Sequence, residues 1–332
     1  MRMRYLLIDA ANTFWRARHT AFRGATAWDR VGLAIHVTFA SVNKCWREQS
    51  ADHVVFCFEG RSWRKDYDHR YKANRTEDRA AASVEEQEEL QLCYEALNNM
   101  QDYLREKTNC TVLQHEQLEA DDLIAGWIQS HPDDHHTIIS SDTDFVQLIA
   151  PNVVQYNGIA KRTIALDGIT DDKGKIVIDK KTGLPVEPPE PEWELFKKCM
   201  RGDPTDNVFS AYPGVREKGT SKKVGLREAF ADRNSKGYNW NNMMLQKWVD
   251  HNGKEIKVLD AYHANRTLID LAAQPDDIKV LMGQTIAAGQ VKKDKPMIGA
   301  QFLKFCGKFE LVKLSEQANT YINFLSAPYK GE

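Results

Sequence analysis

The sequence has no paired cysteines. Its six lie at 45, 57, 93, 110, 199 and 306. No C-x-x-C spacing occurs, which excludes a zinc ribbon and a thiol redox motif. Thiols scattered among mostly apolar neighbours suit a reducing cytoplasm. Nor does any apolar run approach the roughly 20 residues of a membrane helix. The first run, Tyr5 to Ile8, stops at Asp9, so neither a membrane partner nor a secretory signal is expected. No G-x-G-x-x-G follows a strand. Gly214 and Gly219 have P-loop spacing, but Thr220 and Ser221 follow, without the phosphate-binding lysine. Asp9 lacks the second aspartate that haloacid-type phosphatase chemistry wants two residues on; Ala11 stands there. The ten histidines show no metal or triad spacing, and His135-His136 reads as a polar surface loop. There is no internal repeat.

Excess charge of one sign is also missing. Against 45 basic residues stand 47 acidic ones, a net of −2, which taken whole is not the footprint of a nucleic-acid binder. The distribution says more than the total. Residues 61–75 carry six Arg or Lys against two Asp, and 213–223 carry four against one. The acids sit elsewhere, in tight clusters. Segregated charge of this kind can serve a polyanion and metal cations together. With 332 residues, 42% hydrophobic and 28% charged, the chain fits a soluble protein of two domains, expected to be monomeric.

The first half alternates strand and helix. Tyr5-Leu6-Leu7-Ile8, Val54 to Phe58, Thr111-Val112-Leu113 and Thr137-Ile138-Ile139 are buried-type strands. Helical spacing fills 31–46, 84–107 and 118–129, with Asn12 placed to cap the first helical stretch. Strands separated by helices imply right-handed crossovers and a mainly parallel central sheet flanked by helices, an α/β fold. Residues 153–186 read as turn-rich β structure. Four prolines between Pro185 and Pro191 mark a connector, and the pattern is helical after 192. The expected division is an α/β domain over 1–191 and a mostly helical region over 192–332.

In an open α/β sheet, ligands bind outside the carboxyl ends of the strands. Asp9 follows the first strand and Glu59 the second. Glu119, Asp121 and Asp122 follow the third at a helix start; Asp142 and Asp144 follow the fourth. Asp142 and Asp144, two apart in an extended segment, would point the same way. Asp203 and Asp206, three apart, would share a helical face, with Asp203 capping Pro204. Singly, each acid has a plain reading as a turn former or helix start. Together they would repel one another unless cations neutralise them. Oxygen donors without His or Cys suit Mg²⁺, with Mn²⁺ as a substitute.

A basic strap begins just after Glu59. Arg61, Arg64, Lys65, Arg70, Lys72, Arg75 and Arg79 alternate with Trp63, Tyr67 and Tyr71. Cations bind phosphates and aromatic faces stack on unpaired bases. Carboxylates for two metal ions beside such a strap point to phosphodiester hydrolysis.

At these motifs the chain resembles the 5′-nuclease or flap-endonuclease superfamily, with the phage replication nucleases nearest. Leu7-Ile8-Asp9-Ala10-Ala11-Asn12 is similar to that family's first strand and aspartate. Trp63-Arg64-Lys65-Asp66 and Tyr71-Lys72-Ala73-Asn74-Arg75 resemble the base of its helical arch. Glu119-Ala120-Asp121-Asp122, Ser140-Ser141-Asp142-Thr143-Asp144-Phe145 and Gly202-Asp203-Pro204-Thr205-Asp206-Asn207 resemble its acidic signatures. Asn265 to Leu271 resembles a late helix of the phage enzymes. These motifs, in order, make the likeness specific.

The resemblance implies a PIN-like nuclease core, a helical arch over about 60–107 and a helical C-terminal DNA-binding region. It implies 5′-to-3′ exonuclease, flap endonuclease and ribonuclease H activity on DNA and RNA–DNA hybrid with a 5′ flap or 5′ end. RNA primers and flaps would be removed during replication, beside a single-strand-binding protein and a sliding clamp. Asp121, Asp142 and Asp144 would hold one Mg²⁺, with Glu119 and Asp9 orienting its waters. Asp122, Asp203 and Asp206, with Asp144, would hold the second. Lys72 would contact the scissile phosphate and Arg75 a neighbouring one, and Tyr71 would stack on the terminal base. Arg64, Lys65 and Arg70 complete the strap. Gly219, Ser221, Lys222 and Lys223 stand where the family's duplex-binding turn lies, in a loose match to its glycine-rich pattern. Glu59 replaces the family's usual aspartate and is one methylene longer, so a water-mediated role is expected. The alternatives are a PIN-type endoribonuclease and a non-catalytic DNA-binding relative.

Overall fold

The computed structural model describes residues 2–18, 25–75, 81–250 and 253–331. Arg79 of the basic strap lies outside them. The chain forms two compact units. One comprises Met1–Ser62, Ala82–Pro189 and Asp277–Glu332; the other comprises Trp63–Ala81 and Glu190–Asp276. The break at 189/190 lies close to the boundary read from the prolines. Residues 277–332, expected with the helical region, belong instead to the α/β unit.

The first unit is built on a seven-stranded sheet: β1 (Arg4–Asp9), β2 (His53–Cys57), β3 (Thr111–Leu113), β4 (His135–Ile139), β5 (Val153–Asn157), β6 (Arg162–Ala165) and β7 (Gly168–Asp171). The order is β3-β2-β1-β4-β5-β6-β7. The first five strands run parallel; β6 pairs antiparallel with β5, and β7 antiparallel with β6. In β1 every residue from Tyr5 to Asp9 is buried, as are all five of β2. Such burial on both faces is why these strands read as unbroken apolar runs. The chain builds outward from β1 to β2 and β3, then crosses back to place β4 on the other side of β1. The sheet's topological switch point therefore lies between β1 and β4.

The helix Ala27–Glu48 opens with a capping box between Thr26 and Asp29 and buries Val31, Ala34, Ile35, Phe39 and Val42 on one face. The helix Val84–Lys107 opens on the Ser83–Glu86 box and buries Cys93, Ala96, Leu97, Met100 and Leu104. Those side chains join the sheet's main core, so residues 93–104 of this helix form a structural wall, while 84–92 are largely exposed. Late residues complete the core. The Phe39 ring meets Phe302, Phe305 and Phe324 at centroid distances of 5.6, 5.8 and 6.3 Å, within the range of favourable aromatic pairing. Among the described residues no helix is long and apolar enough to cross a membrane.

At the amino ends of the strands lies a row that the sequence did not disclose. Tyr5 is in register with His53 on one side and His136 on the other. His136 is 1% exposed and His53 fully buried, so the His135-His136 pair opens β4 and is not a surface loop. His53 lies 2.8 Å from Thr111 Oγ1 and 3.0 Å from Ala327 O. Burial pushes both imidazoles down to about 4, so both are neutral in the folded protein. The unfolded chain takes up these protons near the ordinary value of about 6.5. Their stabilising effect is complete above that pH and is lost as pH falls from about 6.5 towards 4. Urea unfolding at pH 7 and pH 5 is expected to show a loss of about 2 kcal/mol or more. A His53→Gln/His136→Gln variant, weaker at pH 7, should lose less on acidification. An unchanged pH dependence in that variant would exclude these two groups as the cause.

The second unit has its own core. Trp193, Phe196, Met200, Trp240, Met243 and Val258 pack together, from the helices Pro191–Arg201, Tyr238–Met244 and Val258–Ile269. Asn265 ties these parts, donating Nδ2 to Cys199 O at 2.8 Å and Phe209 O at 2.7 Å.

Candidate active site

Asp9 ends β1 at the switch point and is 4% exposed. Two donors fix its carboxylate: the Asn12 N–H to Oδ1 at 3.0 Å and the Ser140 hydroxyl to Oδ2 at 2.8 Å. Ser140 Oγ also accepts the Asp142 N–H at 3.1 Å. Asp142 Oδ1 in turn accepts the Asp144 N–H at 2.9 Å. These links run from the end of β1 to the end of β4. Asp142 and Asp144 are not in an extended segment, as expected, but open a 3-10 helix, Thr143–Leu148, with Asp142 as its cap. Gln155 on β5 holds the turn from beneath, donating to Ser140 O at 3.0 Å and Asp142 O at 2.6 Å.

The other side of Asp9 faces β2 and β3. Asp9 is in register with Cys57. Burial pushes the Cys57 thiol well above its ordinary value, and the adjacent charges of Asp9, Asp121 and Glu59 push it further. Acids from three strand ends thus converge on one buried thiol. Glu59 is exposed, and its Oε2 accepts the Ala120 N–H at 3.3 Å, the first amide of the helix Ala120–Ser130. A carboxylate there is favoured by the amide and by the helix dipole. The approach needs Gly60, because a Cβ would collide with the carbonyls of His115 and Leu118. Asp122 is fully buried and accepts the Glu119 N–H at 3.2 Å, while Glu119 itself is 3% exposed. Asp121, Asp142 and Asp144 are half-buried. The edge therefore grades from buried, tightly held carboxylates to others open to a cation.

Sequence reasoning missed three positioning residues here. Asn12 was expected to cap a helix. It lies inside the helix Ala10–Arg18 instead, and its Oδ1 accepts both the N–H and the hydroxyl of Ser141 at 2.9 Å. Ser140 and Gln155 had no assigned task. The only signal was the place of Ser140-Ser141, between a strand and Asp142.

The second unit carries the basic strap and the last two acids. Asp203 caps the turn Pro204–Asp206 and meets Lys198 Nζ at 2.7 Å. Burial would raise its pKa, but Lys198 and the backbone amides of the turn outweigh it and hold the carboxyl below its usual range. Asp206 is gripped by the strap. Tyr71 OH donates to Oδ2 at 2.9 Å, Arg75 to Oδ1 at 2.6 Å, and Lys72 Nζ stands 3.6 Å from Oδ2. Lys72 adopts a left-handed φ of +54°, and its N–H donates to Asp206 O at 2.9 Å.

Two strap residues differ from expectation. Arg64 is 1% exposed, donates Nε to Leu268 O at 2.8 Å and lies over the Trp63 ring at 4.6 Å. It is a core residue, not a phosphate contact. Tyr71 is 5% exposed and packs with Cys199, Val208, Leu268 and Ile269, so its ring offers no open stacking face. Lys65 is half-buried. Arg70 is exposed and bound to both oxygens of Asp68, at 2.9 and 2.6 Å. In the expected duplex-binding turn, the Gly219 amide is taken by Glu228, at 3.0 Å to Oε2, and is not presented to a ligand. Ser221, Lys222 and Lys223 are exposed.

A mainly parallel sheet that receives carboxylates from four strand ends at one edge defines an α/β protein with an acid-lined edge. Residues 4–177 match the family model of the 5′-3′ exonuclease N-terminal, resolvase-like domain. The chain belongs to that 5′-3′ exonuclease family. It is similar to DNA polymerase I of Rhizobium leguminosarum, 31% identical over 68% of this chain and 20% of that one. It is also similar to ribonuclease H of Enterobacteria phage T4, 25% identical over 68% of this chain and 66% of that one. It thus spans a fifth of the polymerase and just under two thirds of the phage enzyme. In fold it is similar to the bacteriophage T5 D15 flap endonuclease, in a complex with DNA and metal ions, at a TM-score of 0.58 and 19% identity, over 86% of this chain and 98% of that one. The zinc-bound T5 5′-exonuclease aligns at a TM-score of 0.59 and 18% identity, over 86% and 99%.

Proposed function

We propose that the protein is a divalent-metal-dependent, structure-specific 5′-nuclease. It would hydrolyse phosphodiesters at the 5′ end or flap of duplex DNA and RNA–DNA hybrid, leave 5′-phosphates and remove RNA primers. The gathering of Asp9, Asp121, Asp142 and Asp144 around the switch point carries this reading. The donors are all carboxylate oxygens, the set that Mg²⁺ prefers and Mn²⁺ shares. Asp121, Asp142 and Asp144 would hold the tighter ion, with Glu119 and Asp9 orienting its waters. From the sequence pattern, Asp144, Asp122, Asp203 and Asp206 are assigned the second. Two such ions, when bound, activate a water and neutralise the leaving oxygen.

The chain's own groups do the rest. Ser140 and Asn12 keep Asp9 aimed. Lys72 and Arg75 lie on the Asp206 carboxylate, so an incoming phosphate must compete with it for their charge. Lys72 would then face the scissile phosphate and Arg75 its neighbour. The exposed Lys222 and Lys223 would hold the uncleaved duplex. A single-strand-binding protein and a sliding clamp are the partners this role implies.

The test uses 5′-labelled flap, nicked-duplex and RNA-primer substrates, with Mg²⁺ or EDTA. Release of short 5′-phosphorylated products in Mg²⁺ alone is expected. Cleavage confined to single-stranded RNA would favour a PIN-type endoribonuclease. Flap binding without cleavage would indicate a non-catalytic relative.

Glu59 gives a finer test. Its bond to the Ala120 amide and its extra methylene fit a carboxylate that acts on metal-bound water and not on the ion. Mg²⁺ geometry is strict, at about 2.0–2.1 Å. Glu59→Asp is expected to retain substantial cleavage and Glu59→Gln to lose about 10- to 100-fold, the size seen for outer ligand partners and less than for Asp144→Asn. A Glu59 oxygen at bonding distance in an Mn²⁺-soaked crystal would contradict this assignment.

A further inference from the structure

The sheet of the first unit ends at β3, and its outer edge is open. Leu113 O accepts the Phe58 N–H at 2.9 Å, which fixes the way the strand faces. The N–H and C=O groups of Thr111 and Leu113 point to β2, so those of Val112 and Gln114 point away. Among the described residues no strand pairs with β3 on that side. A groove of about 610 Å³ runs along the edge, between Val112–His115 and the helix Asp276–Gly289, whose Leu281 and Ala288 form its wall. Open edges are usually guarded by a charge, a proline or a bulge. Cys110-Thr111-Val112-Leu113-Gln114 has none of these. The strand's brevity limits it to one short partner segment.

The groove is cationic. Arg105 and Lys293 line it, and Lys293 Nζ donates to Cys110 O at 2.7 Å. Lys295, two residues on, is tied to the start of the same strand by its N–H, which donates to Asn109 Oδ1 at 2.8 Å. Among the described residues none of the three has an acidic partner. The wall itself is uncharged, with Gln284 and Thr285 between Leu281 and Ala288. Main-chain groups at strand spacing match another peptide backbone, which a nucleic-acid backbone is not.

We propose that the β3 edge docks an extended acidic segment of a partner protein. The segment adds as a further strand along Val112–Gln114 and places its carboxylates against Arg105, Lys293 and Lys295. This site is independent of the nuclease reading and uses none of its residues.

The test takes the full chain and a fluorescein-labelled peptide of alternating Thr and Val ending in three Asp. The same peptide ending in three Lys and a 12-nucleotide single-stranded DNA serve as comparisons. Fluorescence anisotropy should show the acidic peptide binding at least tenfold tighter than the basic one. Arg105→Ala/Lys295→Ala should weaken it at least fivefold and leave flap cleavage unchanged. Hydrogen exchange should slow at the Val112 and Gln114 amides, while Thr111, already facing β2, stays as it was. Equal binding of both peptides would overturn the proposal. So would charge-dependent binding that leaves the two amides unprotected, or displacement by the DNA with the same dependence on Arg105 and Lys295.

Discussion

Asp144→Asn is expected to lower the flap-cleavage rate at least about a thousandfold, equivalent to about 4 kcal/mol of transition-state stabilisation. The variant exchanges an oxygen for a nitrogen at constant size. The Asp144 N–H still donates to Asp142 Oδ1, because that bond uses the main chain. The 3-10 helix and the Gln155 support beneath it should therefore survive, and the thermal midpoint should change little. Affinity for flap DNA should hold or rise slightly, since one repulsive charge is gone. Single-turnover cleavage together with a binding titration decides the matter. A rate within tenfold of the native enzyme would remove Asp144 from the ion-holding set.

Lys72→Met is expected to cost about a hundredfold in the cleavage rate and less than threefold in affinity, the signature of a charge felt mainly in the transition state. Methionine is the better probe than alanine. It keeps the length and a side chain at the same left-handed φ of +54°, so backbone strain is nearly unchanged. The Lys72 N–H to Asp206 O bond is also untouched. Lys222→Ala/Lys223→Ala should show the opposite pattern. Duplex binding should weaken and its salt dependence flatten by about one unit per lost contact, with the rate on bound substrate preserved. Should Lys72→Met alter affinity alone, Lys72 would be a phosphate clamp and no more.

The strands and the acids were legible for the same reason. A strand buried on both faces must be apolar throughout, so the first charge after it marks its carboxyl end. Asp9, Glu59 and Asp142 are those first charges, the Glu119 cluster follows β3 just after Glu116, and the sheet rule supplied their common edge. Arg64 and Tyr71 were misread because their partners are remote in sequence. Nothing near Arg64 announces that Leu268 O will accept its guanidinium, so a basic, aromatic stretch looked like a surface. His136 was hidden likewise, since the Tyr5 ring that stacks on it at 5.7 Å comes from another strand. The helix 84–107 carried a clear apolar face, but periodicity does not say which core a face will meet. That 277–332 returns to the α/β unit rests on contacts such as Phe39 with Phe324, across a separation no local pattern records.

That return sets an order of events during synthesis. The ribosome delivers every carboxylate of the sheet edge by residue 144, yet the aromatic wall against Phe39 arrives only with Phe302, Phe305 and Phe324. Closing so long a loop is slow, because its entropy must be lost before the contacts repay it. From Asp144 until Phe324 is made, the nascent chain therefore carries an acidic edge on an unfinished support. A chain that stops short of Phe302 would lack the packing that holds the acidic edge together.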